Sequence, residues 1–395
     1  MADPPLTLLL GGECLLGRRS GIGRVTLQIA QALRHDPRIA EIRLLLGRTS
    51  EPVSMIDTLP SDSSPPVRSA RLAAIIHAVP PLMALRRAMV RRQLEAHLAR
   101  VLAPGVKAVI YHEPNMIARP FSGPTVIEIN DLSWHHHGSF HPAERIAWIE
   151  RGLPRSLKQA QRIVAISEFT KAEIAKELGL SPAIIDAVPL APAAVFRPAS
   201  AEAAAAALAQ HDLDDRSYVL SVSTLEPRKN FDGLLAAYLK LPERVRERVP
   251  LAIVGGAGWG DTLTDRDATR AVAAGQLRLL GYASDETLAM LYARAACFAF
   301  VSHYEGFGLP VIEAMASGTP VVASSTTAVG ETAGDAAERV DPADHVVIAA
   351  AIARVLDDPT HADALRAAGL ARAAAYTWAD VADRLIDCWR AALAG

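Results

Sequence analysis

His303-Tyr304-Glu305-Gly306-Phe307-Gly308-Leu309-Pro310-Val311-Ile312-Glu313-Ala314-Met315-Ala316-Ser317-Gly318-Thr319-Pro320 holds, in order, a strand end, a loop, one short helix and a stop. Pro310 suits the first helical turn, where its missing N–H costs nothing. Gly318 ends the helix, and Pro320 forbids its continuation. A short helix that starts where a strand ends points its N-terminus at the edge where open α/β sheets bind ligands. Gly306 and Gly308 are expected to let backbone amides approach a ligand there, and the helix dipole favours phosphate. Glu313, read as part of the first turn, can accept two hydrogen bonds from a vicinal diol such as ribose. Glu305, in the loop ahead, is placed to grip sugar hydroxyls. Each acid alone has a plainer reading, as a dipole complement or a surface loop residue.

Two further stretches have the same strand-loop-helix form. Thr224-Leu225-Glu226-Pro227-Arg228-Lys229-Asn230 follows the strand expected over Tyr218–Val222. An arginine fork and a lysine point charge at a strand end make a cradle for a diphosphate. Ser20-Gly21-Ile22-Gly23-Arg24 follows a first strand over Leu6–Leu10 and opens a helix from Gly23 to Arg34. A dinucleotide fingerprint fails there, because the third glycine and the distal acid are missing. Arg24 can meet acceptor or phosphate, although a lone arginine is ordinarily a surface residue.

Strand and helix signals alternate along the chain, which predicts parallel sheets covered by helices on both faces. Further strands are expected over Ile42–Leu46, Ala108–Tyr111, Thr125–Ile129, Arg162–Ile166, Leu251–Val254, Arg278–Leu280, Cys297–Val301 and Pro320–Ala323. Residues 49–66, rich in Ser, Pro and Asp, read as a mobile loop. At 395 residues the chain is too long for one ordinary core. The reading is two Rossmann-like domains facing each other across a cleft: residues 1–195, a linker over 196–216, and 217–376, with a terminal helix over 377–395.

A net charge of −2 leaves no basic excess for a nucleic-acid backbone. Cys14, Cys297 and Cys388 lie too far apart for a disulfide framework or a zinc spacing, which suits a reducing compartment. The N-terminus lacks a signal peptide's basic region, so a cytoplasmic protein is expected. Arg86, Arg87, Arg91 and Arg92 flank Met89 and Val90 on an expected helix that also carries Leu82, Met83, Leu85 and Leu94. Such a stretch can touch anionic lipid, or it is simply a solvated arginine face.

Glu305 and Glu313 resemble the E-x7-E motif of the retaining glycosyltransferases of family 4, which have the GT-B fold. Glu305–Ala316 and Gly318–Val322 match that signature almost without substitution. The resemblance is strong over 217–395 and weaker over 1–200. It implies a donor site of Gly21, Ser223, Gly306, Phe307, Gly308, Leu309, Glu313 and Tyr282. The catalytic group it implies is Glu305, Lys229, Arg228, Asn130 and Asp131, with Lys229 on the donor phosphates. Arg24, His135 and His136 would face the acceptor. Many relatives have an arginine at Ser223, where Arg228 can substitute. Ala165-Ile166-Ser167-Glu168-Phe169-Thr170 resembles a family stretch near the end of the first domain and also reads as a helix cap at Ser167. The helix after Tyr376-Thr377-Trp378 resembles the segment that returns to pack on the first domain.

One departure stands out. Val126-Ile127-Glu128-Ile129-Asn130-Asp131-Leu132 carries Asn130 where relatives have the histidine of a His-Asp pair. Asparagine hydrogen-bonds a hydroxyl but does not titrate, so an essential histidine base is not expected unless one of His135–His137 takes over. Asp212-Leu213-Asp214 spells a metal-nucleotide DxD but lies in the linker, and reads as a helix cap or turn. The resemblance implies transfer of a hexose, weakly mannose, from GDP-mannose or a UDP-hexose to a glycan or lipid-linked glycan. No metal and no other cofactor is expected. The alternatives are a nucleotide-sugar epimerase of the same fold and a non-catalytic sugar-nucleotide-binding subunit. A retaining glycoside hydrolase would have no use for the phosphate cradle.

Overall fold

The computed structural model describes residues 4–16, 21–58, 80–102 and 108–395. They form two sheets. The first runs β3-β2-β1-β4-β5-β6-β7 and the second β10-β9-β8-β11-β12-β13. The first sheet comprises β1 (Leu6–Gly11), β2 (Ile39–Leu46), β3 (Thr49–Pro52), β4 (Val109–Glu113), β5 (Thr125–Ile129), β6 (Arg162–Ala165) and β7 (Ile185–Ala187). The second comprises β8 (Val219–Val222), β9 (Leu251–Val254), β10 (Leu277–Gly281), β11 (Cys297–Phe300), β12 (Val321–Ser324) and β13 (Glu338–Val340). All neighbours pair parallel except β2 with β3. The strand order reverses between β1 and β4 in one sheet and between β8 and β11 in the other. These are the switch points at which doubly wound sheets leave a crevice.

The near-continuous apolar strands reflect burial on both faces. Leu8 and Leu10 of β1 pack with Val25 and Ile29 of the helix Gly21–Leu33. Leu9, between them, faces the opposite layer with Leu94, Ile149 and Leu153. The second sheet repeats the scheme, with Val219 and Ile253 against Leu234 and Ile348, and Leu220 and Phe298 against Leu291 and Ile312. One apolar interior runs unbroken from sheet to sheet through Leu190, Phe196 and Tyr292.

Residues 49–58 are not the loop expected. Thr49–Pro52 pairs antiparallel with β2, and Val53–Thr58 is a 3-10 helix whose Ile56 is buried. Arg43 explains the strand: its Nε donates to Ser50 Oγ at 2.9 Å and its Nη2 to the Ser50 carbonyl at 3.0 Å. Residues 59–66 of that expected loop, Ser20 and the Arg86 side chain lie outside the described residues. The DxD stretch forms the turn expected, after the helix Ala201–Gln210, with Asp212 at φ 52°.

The final helix, Trp378–Ala394, starts at Thr377, whose side chain accepts from the Asp380 amide, and lies on the first sheet. Trp378 Nε1 donates to the Pro192 carbonyl at 3.1 Å. Trp389, fully buried, donates to His112 Nδ1 at 3.0 Å, which leaves Nε2 as the protonated nitrogen facing Glu128 at 2.9 Å. Trp389→Phe keeps most of the apolar contact but strands that imidazole nitrogen without a donor. It should therefore lower stability by about 1–3 kcal/mol, read as a drop in the urea midpoint; an unchanged midpoint would show the bond to be idle.

Candidate active site

The site forms where β8 and β11 end. Glu305 sits in the loop after β11, only 7% exposed. Lys229 Nζ reaches its Oε1 at 2.6 Å and Arg228 Nη1 its Oε2 at 3.0 Å. Both cations come from the 3-10 turn Pro227–Lys229, which Asn230 closes in the left-handed region at φ 59°. Asn230 Nδ2 donates to the carbonyls of Val301 (2.9 Å) and Pro342 (2.8 Å), tying the cation turn to the glutamate loop. Arg228 also meets Glu226 at 3.1 Å, a buried partner that sequence reading did not single out.

Burial opposes the charge on Glu305, but Lys229 and then Arg228 hold its carboxyl below the usual range. Burial, then the adjoining guanidinium, push the Lys229 ammonium down. Arg228 also feels the charges of Asp131 and Glu226, so two cations stand among three carboxylates.

The facing wall comes from the first sheet. A Cβ on Gly306 would lie 1.7 Å from the Asn130 carbonyl oxygen, so only glycine fits. The Gly306 carbonyl accepts from Ser167 Oγ at 2.7 Å and Thr170 Oγ1 at 3.0 Å. The Cβ side and the carbonyl of Gly306 are thus taken up by the opposite half of the chain. Ser167 also caps the helix Glu168–Glu177, as expected. Tyr304 adds a third tie: its hydroxyl accepts from the Leu132 amide at 3.1 Å and donates to Glu173.

Asp131 Oδ1 accepts from the Ser133 amide at 2.9 Å and from Ser133 Oγ at 2.6 Å, and Ser133 Oγ meets His141 Nε2 at 2.9 Å. Burial works against the Asp131 charge, but Arg228 across the cleft leads the effects that keep its carboxyl low. Asn130 Nδ2 donates to the Pro114 carbonyl at 3.3 Å. His135 and His136 pair with Glu177 (3.6 Å) and Glu173 (3.1 Å), and His137 stacks on Phe140. None of the three hydrogen-bonds Asp131 among the described residues. His141 is the imidazole joined to it, a residue that sequence reading passed over because it lies outside the histidine run.

The other end of the motif forms a second node. Glu313 is the fifth residue of the helix Leu309–Ala316, one turn deeper than expected, and is 2% exposed. A helix that begins at Leu309, capped by Gly308 at φ 101°, accounts for the shift. Arg24 Nη2 reaches Glu313 at 3.0 Å and Arg24 Nε reaches Asp285 at 3.2 Å, while the Tyr292 hydroxyl donates to Glu313 at 3.3 Å. Arg24 therefore spans from the first half to the second and is not an isolated surface residue. Tyr282, exposed, lies close enough to Arg24 to influence its charge. Gly21 has open space around it. Ser223 follows β8 with its carbonyl against Gly255, Phe307 is buried against Tyr376, and Leu309 is half-buried. Among the described residues no three His, Cys, Asp or Glu side chains are grouped to hold a metal.

A family model described as Glycosyl transferases group 1 matches residues 204–372. O-antigen chain mannosyltransferase B of Escherichia coli is 34% identical over 376 residues, covering 94% of this chain and 96% of that protein. This chain belongs to the group 1 glycosyl transferases. Among solved structures, sucrose-phosphate synthase of Thermosynechococcus elongatus superposes with a TM-score of 0.69 at 21% identity, covering 98% of each chain. Anabaena HepE in complex with UDP and glucose gives 0.67 at 16% identity, covering 96% of this chain and 98% of its own. The glycosyltransferase has the GT-B fold, as its motifs suggested.

Burial raises the Glu313 carboxyl to about 7, with Arg24 opposing. A folded-state value above the ordinary 4.5 stabilises the fold fully below pH 4.5, and that contribution is lost as pH rises through about 7. The glycosyltransferase should therefore lose urea stability relative to Glu313→Gln between pH 4.5 and 7.5. Parallel stability curves for the two proteins would refute the raised carboxyl.

Proposed function

We propose that this glycosyltransferase moves a hexose, mannose in the first instance, from a nucleoside diphosphate sugar to a glycan or lipid-linked glycan, with retention at the anomeric carbon. The observation that carries this reading is Glu305 held between Lys229 and Arg228 at the β8–β11 switch point, with Glu313 on the helix that follows. The names of two similar proteins support it: one is an O-antigen chain mannosyltransferase, the other was solved with UDP and glucose.

In this reading the donor pyrophosphate lies on Lys229 and Arg228, and the glycosyl hydroxyls meet Glu305. Ribose takes the Glu313 carboxylate, displacing Arg24. Residues 217–376 supply the donor side and 1–195 the acceptor side, with Asp131 facing the acceptor hydroxyl. The acceptor oxygen bonds to the anomeric carbon as the bond to the phosphate oxygen breaks, and the hydroxyl proton passes to that departing oxygen. No carboxylate is assigned to back-side attack. Lys229 and Arg228 offset the charge that builds on the nucleotide, the work a divalent ion does elsewhere, so chelators should leave turnover intact.

Glu305→Ala and Lys229→Ala should each lower kcat by roughly 10²-fold or more, the cost of losing one electrostatic stabiliser. The assay is release of nucleotide diphosphate from GDP-mannose and UDP-hexoses. Near-normal turnover in both variants would remove the site, and release without acceptor would favour an epimerase-like enzyme. A thermal-shift series over GDP, UDP and ADP sugars reads the base, since only a true donor stabilises strongly.

We place the reaction at the cytoplasmic face of a membrane carrying a lipid-linked acceptor. No helix among the described residues is long and apolar enough to cross a bilayer. The helix Pro80–Val101 exposes Met89 (50%) beside Arg91 and Arg92, and Trp148 (48% exposed) projects from the helix Ala143–Gln159. Burial and nearby Arg155 push the Arg87 guanidinium down, which anionic headgroups would relieve. Replacing Arg87, Arg91 and Arg92 by Ser should cut flotation with phosphatidylglycerol vesicles severalfold, and equal flotation would dismiss the contact.

A further inference from the structure

The parallel strands of the second sheet carry the active site at one end, and a cationic cavity opens at the other. Its volume is about 380 Å³, and Arg216, Arg244, Arg248 and Arg366 line it against only Asp357 and Asp363. Residues 216–217, 249 and 296 on its wall precede β8, β9 and β11, so the length of a strand, about 13 Å, separates it from the edge where Ser223 and Lys229 lie. Three helices complete the wall: Glu243–Arg246, the end of His345–Asp357 and the start of Pro359–Ala374.

The charges in this cavity are poorly matched. Arg366 pairs with Asp363, yet its Nε is buried without a hydrogen-bond partner. Arg216, Arg244 and Arg248 form no ion pair among the described residues, while nearby Arg294 is taken by Asp215. Arg216 is held beside Arg366 in the left-handed region at φ 52°, a conformation that costs a non-glycine residue energy. Its amide is anchored to the Arg294 carbonyl at 3.0 Å. Burial, then the charges of Arg366 and Arg294, push its guanidinium down. Converging arginines with spare donors suit the several oxygens of a phosphate group. At roughly 30 Å³ per water, the space exceeds what a single inorganic phosphate fills.

We propose that this cavity binds a soluble small molecule carrying a pyrophosphate group, at a site distinct from the donor cleft. The inference concerns binding alone and stands independently of the transfer reaction. Bridging phosphates would relieve the Arg216–Arg366 repulsion. The shared chemistry, a pyrophosphate, also occurs on lipid carriers, and the cavity's concave form favours the soluble source.

The test is titration calorimetry of the full chain with inorganic pyrophosphate, in a Lys229→Met background that weakens the cleft. A binding event should persist there and weaken at least tenfold on adding Arg216→Met and Arg366→Met. The exposed pair Arg244→Glu and Arg248→Glu, which cannot disturb the core, should weaken it similarly. Loss of all binding with Lys229→Met alone, or identical titrations with and without the arginine changes, would overturn the proposal. In flotation with phosphatidylglycerol vesicles the cavity variants should behave as the parent. If they lose vesicle binding while pyrophosphate titrations stay unchanged, the cavity reads a membrane surface and the proposal fails.

Discussion

A carboxylate cannot sit as deep as Glu305 unless cations go in with it. Desolvating one ion costs several kcal/mol, and removing a single partner from such a group typically costs about 3–5 kcal/mol. That constraint organises the switch point of the second sheet. Lys229 and Arg228 must arrive together, so the turn after β8 is short and closed by Asn230, whose amide is spent on two carbonyls of neighbouring loops. Hydrophobic residues of similar volume would stabilise the fold as well or better. A gain in fold stability therefore does not account for the cluster.

The same loop holds the two halves of the chain together. Gly306 has no side chain because the Asn130 carbonyl lies there, and its own carbonyl is bonded by Ser167 and Thr170. Gly306, between the glutamate and the helix Leu309–Ala316, is therefore a contact across the cleft. A small change in how the halves approach must move Glu305 relative to Asp131. Closure of this kind is the usual way such enzymes expel water and align an acceptor.

Much of this was legible from residue order. Pro310, Gly308 and Gly318 bracket one short helix, and local backbone rules suffice to find it. The short apolar runs gave the longer strands, with ends shifted by up to three residues. β3, β7 and β13 escaped because three or four residues at or near a sheet edge carry too little pattern, and β3 depends on Arg43 bonding across the pair. The Asn130 substitution was visible, but its consequence was not. His141 reaches Asp131 through Ser133 by tertiary folding, and no spacing rule links residues 131, 133 and 141. Arg24 was equally opaque, since its partners Asp285 and Glu313 lie in the other half of the chain.

Arg24 also bears on how a donor would enter. Glu313 is nearly sealed from water, with Arg24 its one cationic partner among the described residues. If ribose hydroxyls are to reach that carboxylate, the guanidinium has to leave. It then carries an unpaired charge away from Asp285 as well, and a pyrophosphate arriving in the same crevice is the anion at hand. The exchange gives up the two ion pairs of Arg24, to Glu313 and Asp285, for one with the pyrophosphate and two hydrogen bonds from ribose hydroxyls to Glu313. On this reading, the first half of the chain senses the donor through a residue that belongs to neither sugar nor base recognition.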